Sequence, residues 1–158
     1  MPSETQNKAM EAFARGVQCG INGNLKQAIA EFTEAIKLDP TNADFYHSRG
    51  NDYVQLGQFD QAIKDFDESI KLNPNNAIAF RSRGMTLLQS GQIEQSINDL
   101  NESISLKSDD YVAFMSRGVA YFELKQYDKA KPDIEKALSL NPDNVTRSNA
   151  QNLLNKMR

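Results

Sequence analysis

The sequence has few of the residues on which most enzyme chemistry depends. Its 158 residues include no tryptophan, one cysteine and one histidine. The single cysteine, Cys19, cannot form an intrachain disulfide or a multi-cysteine metal site, and the single histidine, His47, excludes a two-histidine zinc centre. A phosphate-binding Gly-x-x-x-x-Gly-Lys loop, a His-Glu-x-x-His motif and a Gly-x-Ser-x-Gly elbow are also missing. We therefore expect no catalytic site, no metal and no cofactor.

A basic excess and a long apolar run are absent as well. The chain has 18 Lys and Arg against 21 Asp and Glu, a net charge of −3, which disfavours nucleic-acid binding. No stretch approaches the roughly 20 apolar residues of a membrane span, and the polar first residues lack the apolar segment of a signal peptide. These absences predict no nucleic-acid or membrane partner, with a cytoplasmic location as the default.

A repeat of 34 residues runs through most of the chain. It is marked by glycines at constant intervals, which are Gly16, Gly50, Gly84 and Gly118. Pro40, Pro74 and Pro142 follow the same interval, and Ser108 occupies the remaining place. Repetition at this length is typical of stacked helical arrays. Four repeats follow without gaps, and they span residues 9–42, 43–76, 77–110 and 111–144.

Each repeat is predicted to form two antiparallel helices, A and B. Within a repeat, small and large apolar residues alternate at spacings of three, four and seven, which indicates helices. Helix A should cover repeat positions 2 to 14 and end near Gly23, Gly57 and Gly91, since glycine adopts a left-handed cap at little cost. Lys125 stands in that place in the fourth repeat, and we expect it to be left-handed too. Helix B should end before the Asp-Pro or Asn-Pro pairs, because proline disfavours a helical residue before it.

This pattern resembles the tetratricopeptide repeat, and the resemblance covers residues 9–144. It implies an all-α, right-handed solenoid of four helix–turn–helix repeats, whose concave wall is made by the A helices. Residues 1–8 are predicted to be flexible. Residues 145–158 carry Val145, Leu153 and Leu154 on one side, which predicts a helix that caps the last repeat, with Asn144 as its N-cap. The alternative is a detachable segment that occupies the groove or the edge of a neighbour.

The resemblance places repeat positions 2, 5, 6, 9, 12 and 13 on the concave wall. In this sequence the wall is apolar in repeats one, three and four and polar in repeat two. An apolar stripe on the face away from the core indicates a binding surface, so we predict a non-catalytic scaffold or adaptor that holds an amphipathic helix or an extended apolar peptide. The candidate residues are Phe13, Val17, His47, Asn51, Ile78, Arg81, Met85, Leu88, Val112, Met115, Val119 and Phe122. Two alternatives remain: self-association through the first repeat or the C-terminal helix, and a wall hidden by packing.

Two further patterns bear on the partner. Some members of this family hold the carboxylate ends of chaperone tails in a clamp of lysine, arginine and asparagine. Of the corresponding positions here only Asn51 matches, so we do not expect that mode of recognition. The second pattern pairs an arginine at repeat position 7 with an acid at position 23, which favours structural ion pairs over an anion-binding stripe. The pairs are Arg15 with Glu31, Arg49 with Asp65, Arg83 with Asp99, and Arg117 with Asp133.

Overall fold

The structure is a computed structural model that describes residues 3–157. This described part contains nine α-helices and no strand, which confirms the all-α prediction. The helices are α1 Glu4–Ile21, α2 Leu25–Leu38, α3 Ala43–Gln55, α4 Phe59–Leu72, α5 Ala77–Gln89, α6 Ile93–Leu106, α7 Tyr111–Glu123, α8 Tyr127–Ser139 and α9 Asn144–Lys156. The odd-numbered helices α1 to α7 are the A helices, and their even-numbered successors are the B helices.

The chain divides into two compact units. The N-terminal unit, Met1–Asn75, contains α1 to α4, and the C-terminal unit, Asn76–Arg158, contains α5 to α9. In both, each A helix packs against the B helix that follows it. Each unit therefore holds two helical hairpins, and α9 belongs to the second.

The same cap closes each A helix. Gly23 has a φ of 76°; its N–H donates to the carbonyl of Gly20, and the N–H of Asn24 donates to the carbonyl of Cys19, both at 2.9 Å. This is the Schellman motif, which satisfies the last carbonyls of a helix. Lys125 makes the fourth such cap with a φ of 58°, so the prediction of a left-handed lysine is confirmed.

Glycine at repeat position 8 lets the two helices of a hairpin approach closely. A Cβ placed on Gly50 would lie 2.8 Å from a ring carbon of Phe66, and one on Gly118 would lie 2.7 Å from Cγ1 of Ile134. Both distances are shorter than carbon atoms tolerate, so the large side chain of the B helix occupies the space that the glycine leaves. Phe66 and Ile134 are fully buried as a result.

Helix α1 extends into residues 1–8, the segment that the sequence predicts to be flexible. Helix α1 begins at Glu4, and Ser3 caps it. The hydroxyl of Ser3 accepts from the N–H of Gln6 at 3.1 Å, while the Gln6 side chain accepts from the N–H of Ser3 at 2.8 Å. This capping box and the Lys8–Glu4 ion pair stabilise an additional helical segment. Met1 and Pro2 lie outside the described residues.

Helix α9 begins one residue earlier than residues 145–158 would suggest, and its N-cap is Asp143 rather than Asn144. Asp143 accepts from the N–H of Thr146 at 2.9 Å and from the Tyr111 hydroxyl at 3.1 Å. On its apolar side, α9 packs into a core cluster with α7 and α8; its members are Ala150, Leu153, Leu154, Met157, Met115, Tyr121, Phe122, Ala130, Ile134 and Leu138. This contact is the one expected of a helix that covers the end of a repeat array.

The arginine–acid pairs form as predicted. Arg49 donates to both carboxylate oxygens of Asp65 at 2.7 and 2.6 Å, and its third contact is with the hydroxyl of Thr33 in the preceding repeat at 3.0 Å. Arg117 binds Asp133 in the same two-pronged way, and Arg83 likewise binds Asp99. The hydrogen bond with Asp65 is the main reason why the pKa of Arg49 is raised. These guanidinium groups thus hold hairpins together.

Candidate functional site

In the N-terminal unit, the predicted wall lies on α1 and α3. Phe13 does not stand free on it, because its ring lies 5.5 Å from that of Phe32 and 5.0 Å from that of Phe45. Val17 on the same helix is 38% exposed, and two neighbours along the stripe, Met10 and Ile21, are 51% and 75% exposed. The exposed apolar surface of this wall is therefore formed by Met10, Val17 and Ile21 of α1, with Phe13 beneath it.

The polar part of this wall comes from α3. The ring of His47 lies 5.5 Å from that of Phe66, which leaves His47 half-buried. The side-chain nitrogen of Asn51 lies 3.5 Å from Nδ1 of His47, one turn away on the same helix. Asn51 is exposed. Of the two residues, Asn51 is the more accessible to a partner.

Sequence reasoning missed Asp52 on the same helix. Asp52 is only 6% exposed, and its Oδ2 has no hydrogen-bond partner among residues 3–157. Its carboxylate faces Gly20 of α1, and burial raises its pKa. The only signal in the sequence is that an acid occurs at repeat position 10 in one repeat, where the others have Gln18, Thr86 and Ala120.

In the C-terminal unit, the predicted wall lies on α5 and α7. Ile78 is 45% exposed. Met85, Leu88, Val112 and Val119 are half-buried. Deeper in the wall, Met115 and Phe122 also belong to the cluster under α9. The face thus has an accessible apolar surface above residues that the core holds in place.

Arg81 points to a structural partner. Its guanidinium donates to the carboxylate of Asp110, which is buried. The other oxygen of Asp110 accepts from the N–H groups of Val112 and Ala113, so this residue caps α7. Arg81 therefore orients the start of α7 through Asp110. It also remains a candidate residue for contact with a partner.

A pocket of about 440 Å³ opens between α5, α7 and α9. It brings together three of the predicted residues, Leu88, Met115 and Val119, with Ser116 of α7 and a row of α9 residues. The row consists of Asn149, Asn152, Leu153 and Lys156. The sequence predicts α9 as a capping helix, with a detachable or self-associating segment as the alternatives, and it does not predict α9 as part of the wall that binds a partner. The spacing of three and four residues along α9, which places this row on one face, was the available signal.

The structure also bears on other kinds of site. Between Ser3 and Met157 no cluster of three or more His, Cys, Asp or Glu side chains could hold a metal ion. Among the described residues, every helix falls short of the length and apolar character that a membrane crossing requires.

Family models match four segments of the chain. One model described as tetratricopeptide repeat matches residues 43–76 and 111–144, and a second model with the same description matches residues 66–98. A third model, described as TPR repeat, matches residues 21–51. The matches include parts of all four repeats that the glycines define. No curated protein sequence matches the chain.

Solved structures of the same architecture are numerous. A crystal structure of MamA is 25% identical, with a TM-score of 0.81, over 85% of this chain and 78% of that one. The PilF protein of Pseudomonas aeruginosa is 20% identical, with a TM-score of 0.85, over 98% of this chain and 71% of that one, which shows the fold alone. The first TPR of Spaghetti (RPAP3), bound to the HSP90 peptide SRMEEVD, is 28% identical with a TM-score of 0.69, over 75% and 92% of the two chains.

Proposed function

We propose that this chain, which belongs to the tetratricopeptide-repeat family, is a non-catalytic scaffold that binds a protein partner on its A helices. The fold supports protein interaction, since the similar domain of RPAP3 was solved with a peptide bound. The observation that carries the finer proposal is the apolar face of α5 and α7. We expect it to hold an amphipathic helix or an extended apolar segment of the partner.

The apolar face is more than folding requires. The opposite side of α5 already contributes Gly84 and Leu87 to the interior, and both are buried. Ile78, Met85 and Leu88 lie on the other side and keep part of their surface in contact with solvent. Exposed apolar groups on one side of a helix, in addition to those that form the core, often mark an interaction site. The methionine adds an adaptable contact, because its side chain is unbranched and polarisable.

The size of the face suits a short peptide. From Ile78 to Leu88 the helix rises by about 15 Å, at about 1.5 Å per residue. About five residues of extended chain, at roughly 3.3 Å each, cover that length. Val112 and Val119 of α7 lie on the neighbouring helix and widen the surface. In this proposal His47 and Asn51 belong to a second, more polar surface on the N-terminal unit.

Recognition should differ from that of a basic clamp for peptide carboxylates. The wall positions on α5 and α7 that the clamp would use carry Ile78, Ser82, Val112 and Ser116. None of these residues is a cation, so the face recognises apolar side chains instead. We therefore propose that this chain and the RPAP3 domain differ in the peptides that they bind.

The test is a selection of short random peptides on immobilised protein, followed by affinity measurements on the selected peptides. Ile78→Asp places a charge on the apolar face and should weaken binding by at least about tenfold. Leu106→Asp is the matched control, since Leu106 is a similarly exposed apolar residue on α6. It should leave the affinity within about twofold. Equal affinities for both variants, or a failure to select any peptide, would contradict the proposal.

A second candidate function is self-assembly, which the exposure of Met10, Val17 and Ile21 on α1 favours. In that case a second copy of the chain would cover this stripe. Light scattering should then show a mass that rises with concentration, and Ile21→Asp should abolish the rise. A monomer at all concentrations would exclude self-assembly and leave the peptide-binding proposal intact.

A further inference from the structure

We infer that the pocket between α5, α7 and α9 anchors a peptide through one aliphatic side chain and an acidic group beside it. The inference rests on the proposed function and adds two points to it: the chemistry of the partner segment, and the participation of α9 in binding.

Half of the residues that line the pocket are apolar. They are Leu88 of α5, Met115 and Val119 of α7 and Leu153 of α9. Its volume of about 440 Å³ lies within the range in which proteins bind organic ligands. Leu88 and Val119 also belong to the apolar face of α5 and α7, so the pocket is continuous with the proposed peptide surface. A peptide on that surface can therefore place one side chain in the pocket.

The α9 side of the pocket carries hydrogen-bond donors. Asn149, Asn152 and Lys156 follow one another at spacings of three and four residues, which aligns them along one side of α9. Within the described chain, these three side chains have no hydrogen bond or ion pair with another residue. Two amide groups and an ammonium group are thus available to a ligand that presents oxygen atoms.

The charge of this region favours an acidic group. Lys156 is the one charged residue among those that line the pocket. Helix α9 contains two cations, Arg147 and Lys156, and no acid, whereas the whole chain has a net charge of −3. The capping carboxylate of Asp143 lies at the opposite end of α9, about 20 Å away at 1.5 Å per residue. A carboxylate beside the aliphatic anchor would therefore face Lys156, the charged side chain of the pocket lining.

Capping alone does not account for the donor row. The side chains with which α9 covers the core are Ala150, Leu154 and Met157, and they lie on a different side of the helix from Asn149, Asn152 and Lys156. A capping helix needs only a polar outer face toward solvent. Here the polar residues line a pocket whose other wall is apolar. Two distinct faces of α9 thus serve two purposes, with Leu153 at the border between them.

The test is an NMR titration of the full ¹⁵N-labelled chain with capped dipeptides at millimolar concentration. N-acetyl-Leu-Asp-amide should shift the amide signals of Val119, Asn152, Leu153 and Lys156 until they saturate. N-acetyl-Leu-Asn-amide, which lacks the charge, and N-acetyl-Ala-Asp-amide, which lacks the aliphatic anchor, should each bind at least about fivefold more weakly. Equal binding of all three probes, or shifts confined to other helices, would overturn the inference.

Two variants separate charge from shape. Lys156→Gln should make the Leu-Asp and Leu-Asn probes bind equally, while Lys131→Gln, an exposed lysine of α8 outside the pocket, should preserve the preference. Val119→Glu should abolish binding of both, with folding checked by circular dichroism. A preference that survives Lys156→Gln would overturn the acidic part of the inference.

Failure of the inference and failure of the proposed function give different results. If selected peptides bind in a way that depends on Ile78 but the Leu-Asp probe leaves the pocket unaffected, the inference is wrong and the proposed function stands. If the probe saturates the pocket while Ile78→Asp changes no peptide affinity, the pocket is a binding site without the rest of the α5 and α7 face, and the proposed function is wrong.

Discussion

Among single residues, the buried acids of this chain fall into two groups. Asp65 accepts two hydrogen bonds from Arg49, so its charge is compensated where it is buried. Asp52 is buried to a similar degree. Its Oδ1 accepts from the side chain of Gln55 at 3.5 Å, and its Oδ2 has no hydrogen-bond partner among residues 3–157. A buried polar group without a partner costs about 1 to 3 kcal/mol of stability. Asp52 is therefore a weak point of the N-terminal unit.

We expect Asp52→Asn to raise the free energy of unfolding at neutral pH by about 1 kcal/mol, because it removes a buried charge and keeps the shape. The gain should depend on pH. Burial raises the folded-state pKa of Asp52 above its ordinary value of 3.8. Below 3.8 the carboxyl is protonated in both states and has no charge penalty. The penalty appears as pH rises through the folded-state pKa and is complete above it.

Urea denaturation of both proteins at neutral pH and near pH 3 would measure this effect. The difference between them should be present at neutral pH and should shrink in acid. Asp109→Asn, at an exposed acid outside the helices, is the control and should change stability by less than about 0.5 kcal/mol. A less stable Asp52→Asn protein at neutral pH would show that the carboxylate has a favourable partner.

The contrast between Asp65 and Asp52 also shows what the sequence predicts at this scale. The Arg49–Asp65 pair was predictable because its two positions carry opposite charges in all four repeats. Asp52 occurs at its position only once, so no pattern revealed that it is buried. The contact of Arg81 with Asp110 was missed for the same reason.

At the level of helices, the caps show how local sequence fixes the ends. Gly23, Gly57 and Gly91 close three A helices in a left-handed conformation that glycine adopts easily. Lys125 closes the fourth at a φ of 58° with the same hydrogen bonds. A side chain at a left-handed position costs roughly 1 to 2 kcal/mol, so the fourth turn keeps its geometry under strain.

Lys125→Gly should therefore stabilise the C-terminal unit by about 0.5 to 1 kcal/mol, a gain limited by the greater freedom of glycine in the unfolded chain. The reciprocal variant, Gly57→Lys, should destabilise the N-terminal unit by a similar amount. Thermal and urea unfolding of the two variants beside the parent would measure both effects. Loss of stability in Lys125→Gly would show that the lysine side chain contributes more than its backbone costs.

The cap of α9 should be sensitive to acid. Hydrogen bonds from the N–H and hydroxyl of Thr146 lower the pKa of Asp143 to about 2, from its ordinary value of 3.8. Because the folded-state value is lower, the stabilisation is complete above pH 3.8 and is lost as pH falls through 2. Asp143→Ala should speed hydrogen exchange in the first turn of α9 at neutral pH. Asp143→Asn, which retains a capping oxygen, should speed it less and should remove the dependence on acid.

For the whole molecule, the periodic part of the sequence could be predicted in more detail than the two ends. Four copies of one pattern determine the helices, their turns and the A-helix face. Helix α1 extends beyond the pattern because Ser3 and Gln6 form a local capping box. Leu88, Met115 and Val119 were predicted as wall residues because the family resemblance places their repeat positions on the concave wall. Asn149, Asn152 and Lys156 were missed because α9 follows the last repeat and has no counterpart to compare.

Removal of residues 142–158 should expose the apolar cluster of the C-terminal unit. Leu153, Leu154 and Met157 would no longer cover Phe122 and Ile134. We expect a loss of about 3 kcal/mol in the stability of that unit, together with stronger binding of an apolar dye. The control is removal of residues 1–7, which should have a much smaller effect, since Ser3 to Asn7 are exposed. Equal effects of the two deletions would show that α9 does not protect the core.

The arginine rows have a consequence for how such a chain can change in length. Arg15, Arg49, Arg83 and Arg117 each find their acid on the other helix of the same hairpin. A gene rearrangement that duplicates or deletes one whole hairpin therefore adds or removes both members of an ion pair. It leaves neither charge without its partner. Recombination can therefore lengthen or shorten this protein in steps of one repeat. Natural selection would then act mainly on which ligand the A-helix face of a new repeat binds.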